Sequence, residues 1–306
     1  REEPDPERTC FERDRDRIVH SSAFRRLAGK TQVVVFPNDH QRTRLTHALE
    51  VAQVATSIAR GVGANATLAE AIALGHDCGH GPGGHASEDA FDAFLAEGYD
   101  HGPWGADVVL TSLNLCAQTL DGIRNHSWSR PVPATIEGEI VSWADRIAYC
   151  AHDLEDAASA GIVDPDDLPA EVVEVAGRSR RQQLGTFVRA VISTASRTGS
   201  VGMAEDEASA LAALRAFNYE RIYTRPDSVA QSTAVIAVLH ALVEYYAEHP
   251  LALPVAFVAP DQGTQGRVRA AVTYVAGMTD RFAFGTAVDL LGWDPGRLPK
   301  GIGRDA

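Results

Sequence analysis

The chain has little that would place it outside a cell or in a membrane. Its four cysteines, Cys10, Cys78, Cys116 and Cys150, are scattered over 306 residues. None stands in a CxxC pair, so they read as reduced thiols of a cytoplasmic protein rather than as zinc ligands or a disulfide framework. Cys78 follows Asp77 directly and reads as a small buried packing residue. No basic, apolar, small-residue sequence opens the chain, so no signal peptide is expected. The longest apolar stretch, Ser232 to Ala247, carries His240 and Glu244, and reads as too short and too polar to span a bilayer. Positive charge is also scarce. The formal net charge is -13, which repels nucleic acid and anionic membrane and argues against a nonspecific nucleic-acid coat. A nucleotide ligand would need a local cationic patch and a metal.

Strand signals are few. Only Gln32 to Phe36 reads as a short strand, and no repeat or low-complexity tract is present. Helix formers dominate, and the fold class is all-α. Leu45 to Arg60 is amphipathic, with Leu45, Ala48, Leu49, Ala52, Ala55, Ile58 and Ala59 toward the core, and stops at Gly61 and Gly63. Helices are also expected over Leu68 to Asp77, Ala86 to Ala96 and Ile136 to Ala160. Further ones follow near Glu171 to Ser196, Ala204 to Tyr223, Val229 to Glu248 and Gly266 to Phe284. The acidic, proline-bearing stretch from Asp164 to Pro169 is the best boundary. It separates residues 1–163, with most of the site, from a C-terminal helical region, 164–306, packed on them.

Histidine and aspartate become informative where an apolar helix should be covered. His76 and Asp77 end the nearly wholly apolar run Leu68-Ala-Glu-Ala-Ile-Ala-Leu-Gly75. A carboxylate there is costly to bury unless it is paired or bound to a metal. With His47 and Asp145 this makes a mixed N/O set suited to Mn²⁺, Fe²⁺, Zn²⁺ or Mg²⁺. The run from His76 to Glu88 adds His80 and His85. On the Ile136 helix, Asp145, Tyr149 and Asp153 fall at i, i+4 and i+8 on one stripe. The glycine-rich segment after Asp77 is not a phosphate-cradling P-loop, because it lacks the Lys-Ser/Thr ending. His126 and His152 read as structural. Tyr219, Tyr223, Tyr245 and Tyr246 read as packing for the C-terminal helices.

Several runs resemble one family. They include Arg13 to Leu27, Lys30-Thr-Gln-Val33, Arg42-Thr-Arg-Leu-Thr-His47 and its continuation to Gln53, His76 to Glu88, Ala144 to Asp156, Tyr219-Glu-Arg-Ile-Tyr223 and Val275 to Ala283. The chain resembles the HD-superfamily deoxynucleoside triphosphate triphosphohydrolases, the dGTPase-like proteins. That resemblance implies an HD-domain helical bundle with an additional C-terminal helical region. It implies His47, His76, Asp77 and Asp145 as ligands of a divalent metal (Mn²⁺, Mg²⁺ or Fe²⁺, with Zn²⁺ acceptable). It implies His85 with Glu88 as a proton-transfer pair, and His80 and His101 as further active-site histidines. Arg44, Arg146 and Tyr149 would hold the triphosphate, and Gln32 and Asp153 the sugar 3'-hydroxyl. Tyr149 would also crowd the 2' position.

The implied reaction attacks the α-phosphate and releases a deoxynucleoside and inorganic triphosphate. A homo-oligomer is implied as well. The chain departs from the family at His101-Gly-Pro-Trp104, where a His-Asn-Ala-Gln run is usual. Its segment from Ser127 to Thr135 is also short. Two other readings carry different products: an HD phosphohydrolase acting on a nucleoside monophosphate or an alarmone, and a dNTP-binding sensor with little turnover.

Overall fold

The structure, a computed structural model, describes residues 2–33, 42–258 and 263–299. These residues form fourteen α-helices and no β-strand. The first seven are α1 Cys10–His20, α2 Ser22–Arg26, α3 Arg44–Val62, α4 Ala66–Gly75, α5 Ala86–Asp92, α6 His101–Trp104 and α7 Ala117–Asn125. The second seven are α8 Ile136–Ser159, α9 Ala170–Ala176, α10 Arg180–Thr198, α11 Glu205–Asn218, α12 Pro226–Glu248, α13 Gly263–Ala276 and α14 Asp280–Leu291. Of the expected strand, Gln32 and Val33 are not in a strand, and the rest lies outside the described residues. An isolated antiparallel bridge joins Thr31 to Thr43.

Local chemistry sets the helix ends. Asn65 caps α4 by accepting from Thr67 N and Leu68 N, each at 3.1 Å. Gly63, in the left-handed region at φ 75°, closes α3. Thr135 caps α8 by accepting from Gly138 N. Three expected helices differ in length. The Ala86 helix stops at Asp92 and turns through Phe94 toward Gly98, whose φ is 77°. The Glu171 helix breaks at Gly177 (φ 76°), and Ser179 caps a new one. The Gly266 helix ends at Ala276, and α14 starts after Thr279.

Two hydrophobic cores result. The first joins α1–α4, α7 and α8 to α9–α11 and is filled by Ile18, Leu27, Ile58, Ile72, Ile140, Ile147 and Phe187. The second joins α5 and the Tyr99–Trp104 segment to α12–α14 through Phe91, Leu239, Val272 and Phe284. Leu49, expected inside, is 52% exposed. The buried stripe of α3 runs through His47, Ala48, Val51, Ala52, Val54, Ala55, Ile58 and Ala59, and Leu49 points away from it.

The apolar stretch at Ser232 extends into the 23-residue α12, which by length and composition is able to cross a bilayer, contrary to its expected shortness. One face of α12 (Val235, Val238, Leu239, Leu242 and Val243) is used in the second core, against α5, α13 and α14. The turn from His76 to His85 passes from α4 in the first core to α5 in the second. That turn is where the polar residues converge.

Candidate active site

The convergence begins with how the glycine-rich turn is held. A side chain at Gly79 would place its Cβ 1.9 Å from the carbonyl oxygen of His101 and 2.5 Å from Gly105 N, so only glycine allows this approach. Tyr99 Oη donates to Gly79 O at 2.7 Å. The Asp280 carboxylate, from the second core, accepts from Gly83 N at 2.9 Å and Thr31 N at 3.0 Å. Lys30 Nζ, fully buried, donates to His80 O and Ala276 O. Burial pulls the Lys30 ammonium down to about 7 and pushes the Asp280 carboxyl up to about 6. With both sides of the turn fixed, Asp77 reaches Arg44 of α3 and His76 faces Asp145 of α8.

At the floor of the cavity, His47 Nε2 lies 3.0 Å from Asp145 Oδ1, and His76 Nε2 lies 3.4 Å from Asp77 Oδ1 and 3.7 Å from Asp145 Oδ1. His76 donates its Nδ1–H to Ala73 O at 2.6 Å. That bond fixes the tautomer and leaves Nε2 bare, buried and without a partner. An imidazole nitrogen aimed at two carboxylates, with no proton to share, is the orientation of a metal ligand. Ligand atoms of His47, His76 and Asp145 lie within 4.8 Å of one another, as do those of His76, Asp77 and His126. Two imidazoles and two carboxylates therefore fit a divalent ion of the N/O-preferring kind. Asp145 is held well below the usual carboxylate range against the cost of burial, through the hydrogen bond to His47 and the field of His76. Cys78 takes no part. Burial pushes its thiol up to about 12, and it packs in the first core.

Beside the floor stands a second histidine group around Glu88. His85 Nδ1 lies 2.6 Å from Glu88 Oε1, and His101 Nδ1 lies 3.2 Å from Glu88 Oε2. His101 Nε2 meets His126 Nε2 at 3.0 Å, while His126 Nδ1 donates to Ile123 O at 2.8 Å. The donor of the His101–His126 bond is therefore His101, whose Nδ1–H also serves Glu88. Burial opposes charge on His101, but Glu88 overcomes it and raises the imidazolium above its ordinary value. His80, whose ring nitrogens are buried and whose Nε2 lies 3.3 Å from Asp77 Oδ1, is driven toward the neutral form by burial and by the Arg44 charge.

A cavity of about 760 Å³ opens above both groups. Gln32, Arg44, His47, Asp77, His80, His85, His101, Asp145, Arg146, Tyr149 and Asp153 all line it, while His76 and Glu88 stand behind the wall. Thus the thirteen residues expected at the site gather around one cavity, eleven on its wall and two behind it. Arg44 is buried, with Nη1 2.8 Å from Asp77 Oδ2 and with Nη2 and Nε free of partners. Asp153 is gripped from two sides, by Arg42 and by the hydroxyl of Tyr223. Arg42 also reaches Asp156 at 2.8 Å and Glu50 at 3.1 Å.

The sequence reading missed several wall residues. Tyr219 and Tyr223 do not pack the C-terminal helices as expected. They end α11 in a π-helical turn, whose wider pitch puts both on the cavity side. Arg215 donates to Tyr149 Oη at 3.1 Å and lines the same wall. His126, read as structural, reaches the cavity, whereas His152 stays buried behind it against Ala148 O. Tyr219-Glu-Arg-Ile-Tyr223, already part of the resemblance, was the available signal for the two tyrosines. Nothing in the local sequence marks Arg215.

The chain matches the HD domain model over residues 44–150 and the Phosphohydrolase-associated domain model over residues 201–287. Helical fold, histidine–aspartate floor and these two matches define an HD-domain phosphohydrolase. Among curated relatives, a protein of Caldanaerobacter subterraneus subsp. tengcongensis is 41% identical over 283 residues, covering 90% of this chain and 83% of the relative. One from Clostridium perfringens is 39% identical over 298 residues, covering 92% and 86%. Both are named deoxyguanosinetriphosphate triphosphohydrolase-like protein. The chain belongs to this deoxyguanosinetriphosphate triphosphohydrolase-like family. A solved structure of a hypothetical protein from Aquifex aeolicus shares the fold, with a TM-score of 0.54 at 18% identity. The match covers 89% of this chain and 66%, just under two thirds, of that one.

Proposed function

We propose that the protein hydrolyses deoxynucleoside triphosphates to deoxynucleoside and inorganic triphosphate, with a divalent metal such as Mn²⁺ or Mg²⁺. The observation that carries this reading is the composition of one cavity. It has a metal-type His/Asp floor, arginines Arg44, Arg146 and Arg215 on its walls, and a polar corner at Gln32, Asp153 and Tyr223. In a chain of net charge -13, arginines gathered at one pocket suit a polyphosphate, whose oxygens match the guanidinium fork. Arg44 has free donors beside Asp77, and Arg146 and Arg215 flank Tyr149 on the opposite wall.

The metal, held by His47, His76, Asp77 and Asp145, would supply Lewis-acid polarisation of a phosphoryl oxygen and a more acidic water. The protein's own residues supply the rest. Glu88 accepts Nδ1–H of His85, which leaves Nε2 of that ring to exchange a proton at the leaving 5'-oxygen. His101, charged between Glu88 and His126, keeps Glu88 ionised for that task. Gln32 Oε1, buried and unpartnered, and the doubly anchored Asp153 offer acceptors to a 3'-hydroxyl. The Tyr149 ring, its hydroxyl fixed by Arg215, would crowd a 2' substituent.

The test is product analysis with each dNTP and Mn²⁺ or Mg²⁺. Triphosphate plus deoxynucleoside supports the reading. Release of orthophosphate or pyrophosphate, or tight binding without turnover, overturns it.

A further inference from the structure

We propose that Trp128 is a positioning residue that presents the Arg146 guanidinium as an open anion receptor for the substrate polyphosphate. The proposal rests on the reading of the cavity as a nucleoside triphosphate site. Arg146 Cζ lies 3.4 Å from the centroid of the Trp128 ring, so cation and indole face are in direct contact. Both residues line the cavity. Stacking engages the π face of the guanidinium and leaves its N–H groups, which lie in the guanidinium plane, free to bond an anion. Arg146 Nε is buried and has no partner.

The charge balance gives this arrangement its meaning. The chain has 41 carboxylates and 28 lysines and arginines. Arg42 and Arg44 are both held by carboxylates. Among the described residues Arg146 makes no such ion pair, although it neighbours Asp145 in the chain. An aromatic face in place of a carboxylate keeps the cation localised without neutralising it. An anion entering the cavity therefore displaces no resident counter-ion.

The indole is itself fixed. Trp128 Nε1 donates to Ser142 O at 3.1 Å, and the Trp143 ring packs edge-on at 4.6 Å. Ser142 Oγ in turn donates to His126 O at 2.5 Å, which ties the wall to the histidine group. Trp128 belongs to the Ser127–Thr135 segment, which leads into α8 and so forms the wall beside Arg146. Trp128 is 46% exposed and its replacement removes little core.

The test uses the full chain loaded with Mn²⁺ and inorganic triphosphate as the probe, with binding followed by calorimetry, and Tm recorded for every variant. Trp128→Leu should weaken triphosphate about tenfold, in the range of a partly desolvated cation–π contact. Trp128→Phe should restore most of that loss. With dNTP as substrate, Trp128→Leu should raise KM more than it lowers kcat. Arg146→Ala should lose at least as much affinity, and the double variant should lose no more than Arg146→Ala alone. Wild-type affinity in Trp128→Leu, or additive losses in the double variant, overturns the positioning role and leaves the cavity reading standing. Failure of the wild-type protein to bind triphosphate, with no change in Arg146→Ala, overturns both.

Discussion

The rings of His80 and His101 stack face to face, with centroids 3.8 Å apart and planes 15° from parallel. Imidazole lone pairs lie in the ring plane. Two rings in nearly parallel planes cannot both aim one at a single ion. The group His80, His85, Glu88 and His101 has ligand atoms close enough to suggest a second metal site, yet this stacking opposes it. A charged His101 lying on a neutral His80, with Glu88 at its edge, suits proton transfer better.

Glu88 is then the residue on which the group depends. Glu88→Gln should lower kcat for dNTP hydrolysis by about 10²- to 10⁴-fold, the usual worth of positioned acid–base catalysis. It should leave bound metal, measured by mass spectrometry, at the wild-type level. Equal loss of metal would show that Glu88 serves the floor rather than the relay.

The same pair sets a pH dependence. The folded state raises His101 above its unfolded value through Glu88. The stabilisation is fully present below the unfolded imidazole value, near pH 6.5, and is lost as pH rises through the folded value. Metal-free protein should therefore show a Tm that declines as pH climbs from about 6.5. Glu88→Gln should flatten that decline, and an identical slope in both proteins would contradict the pairing.

Removing metal should be reversible and visible without any assay of turnover. Chelated protein should gain stability on adding Mn²⁺, by about 2.7 kcal/mol at a hundredfold excess over Kd. Asp145→Asn and His76→Ala should lose that gain in a thermal-shift titration. A full gain in either variant would remove that residue from the ligand set.

Among the described residues Arg42 is the most heavily committed cation, with Asp153, Asp156 and Glu50 around it. Arg42→Met should cost about 3–5 kcal/mol in denaturant unfolding, because it leaves the buried Asp153 carboxylate without its cation. A loss below about 1 kcal/mol would show the cluster to be open to solvent.

Part of this site was legible in sequence because its residues violate local expectation, while Gln32, Arg44, His101 and Arg146 were marked only by the family resemblance. His76 and Asp77 stand at the end of an apolar helix, and Asp145, Tyr149 and Asp153 share one stripe of α8. The longer helices from α3 onward followed from hydrophobic period and glycine stops, whereas α1, α2, α6 and α7 were not expected. What stayed hidden depends on contacts distant in sequence. Arg215 looks like any exposed helical arginine until α11 is laid beside Tyr149. His126 gains its meaning only from His101 across the fold. Leu49 was misplaced because α3 was given a wider buried stripe than its neighbours allow. The splits at Gly177 and before Asp280 are decisions of tertiary packing over helical periodicity.

The carboxylate of Asp280 accepts from the backbone at Gly83 and Thr31. A sequence scan would cut the chain after residue 150 and treat the earlier part as a self-sufficient catalytic module. Asp280, well over a hundred residues beyond that cut, supplies the acceptor for two amides that bracket the site. An excised HD segment would keep every proposed metal ligand and lose the anchor of the loop that carries two of them. In this protein the loop that carries His76 and Asp77 is anchored from outside the stretch that the HD domain match covers.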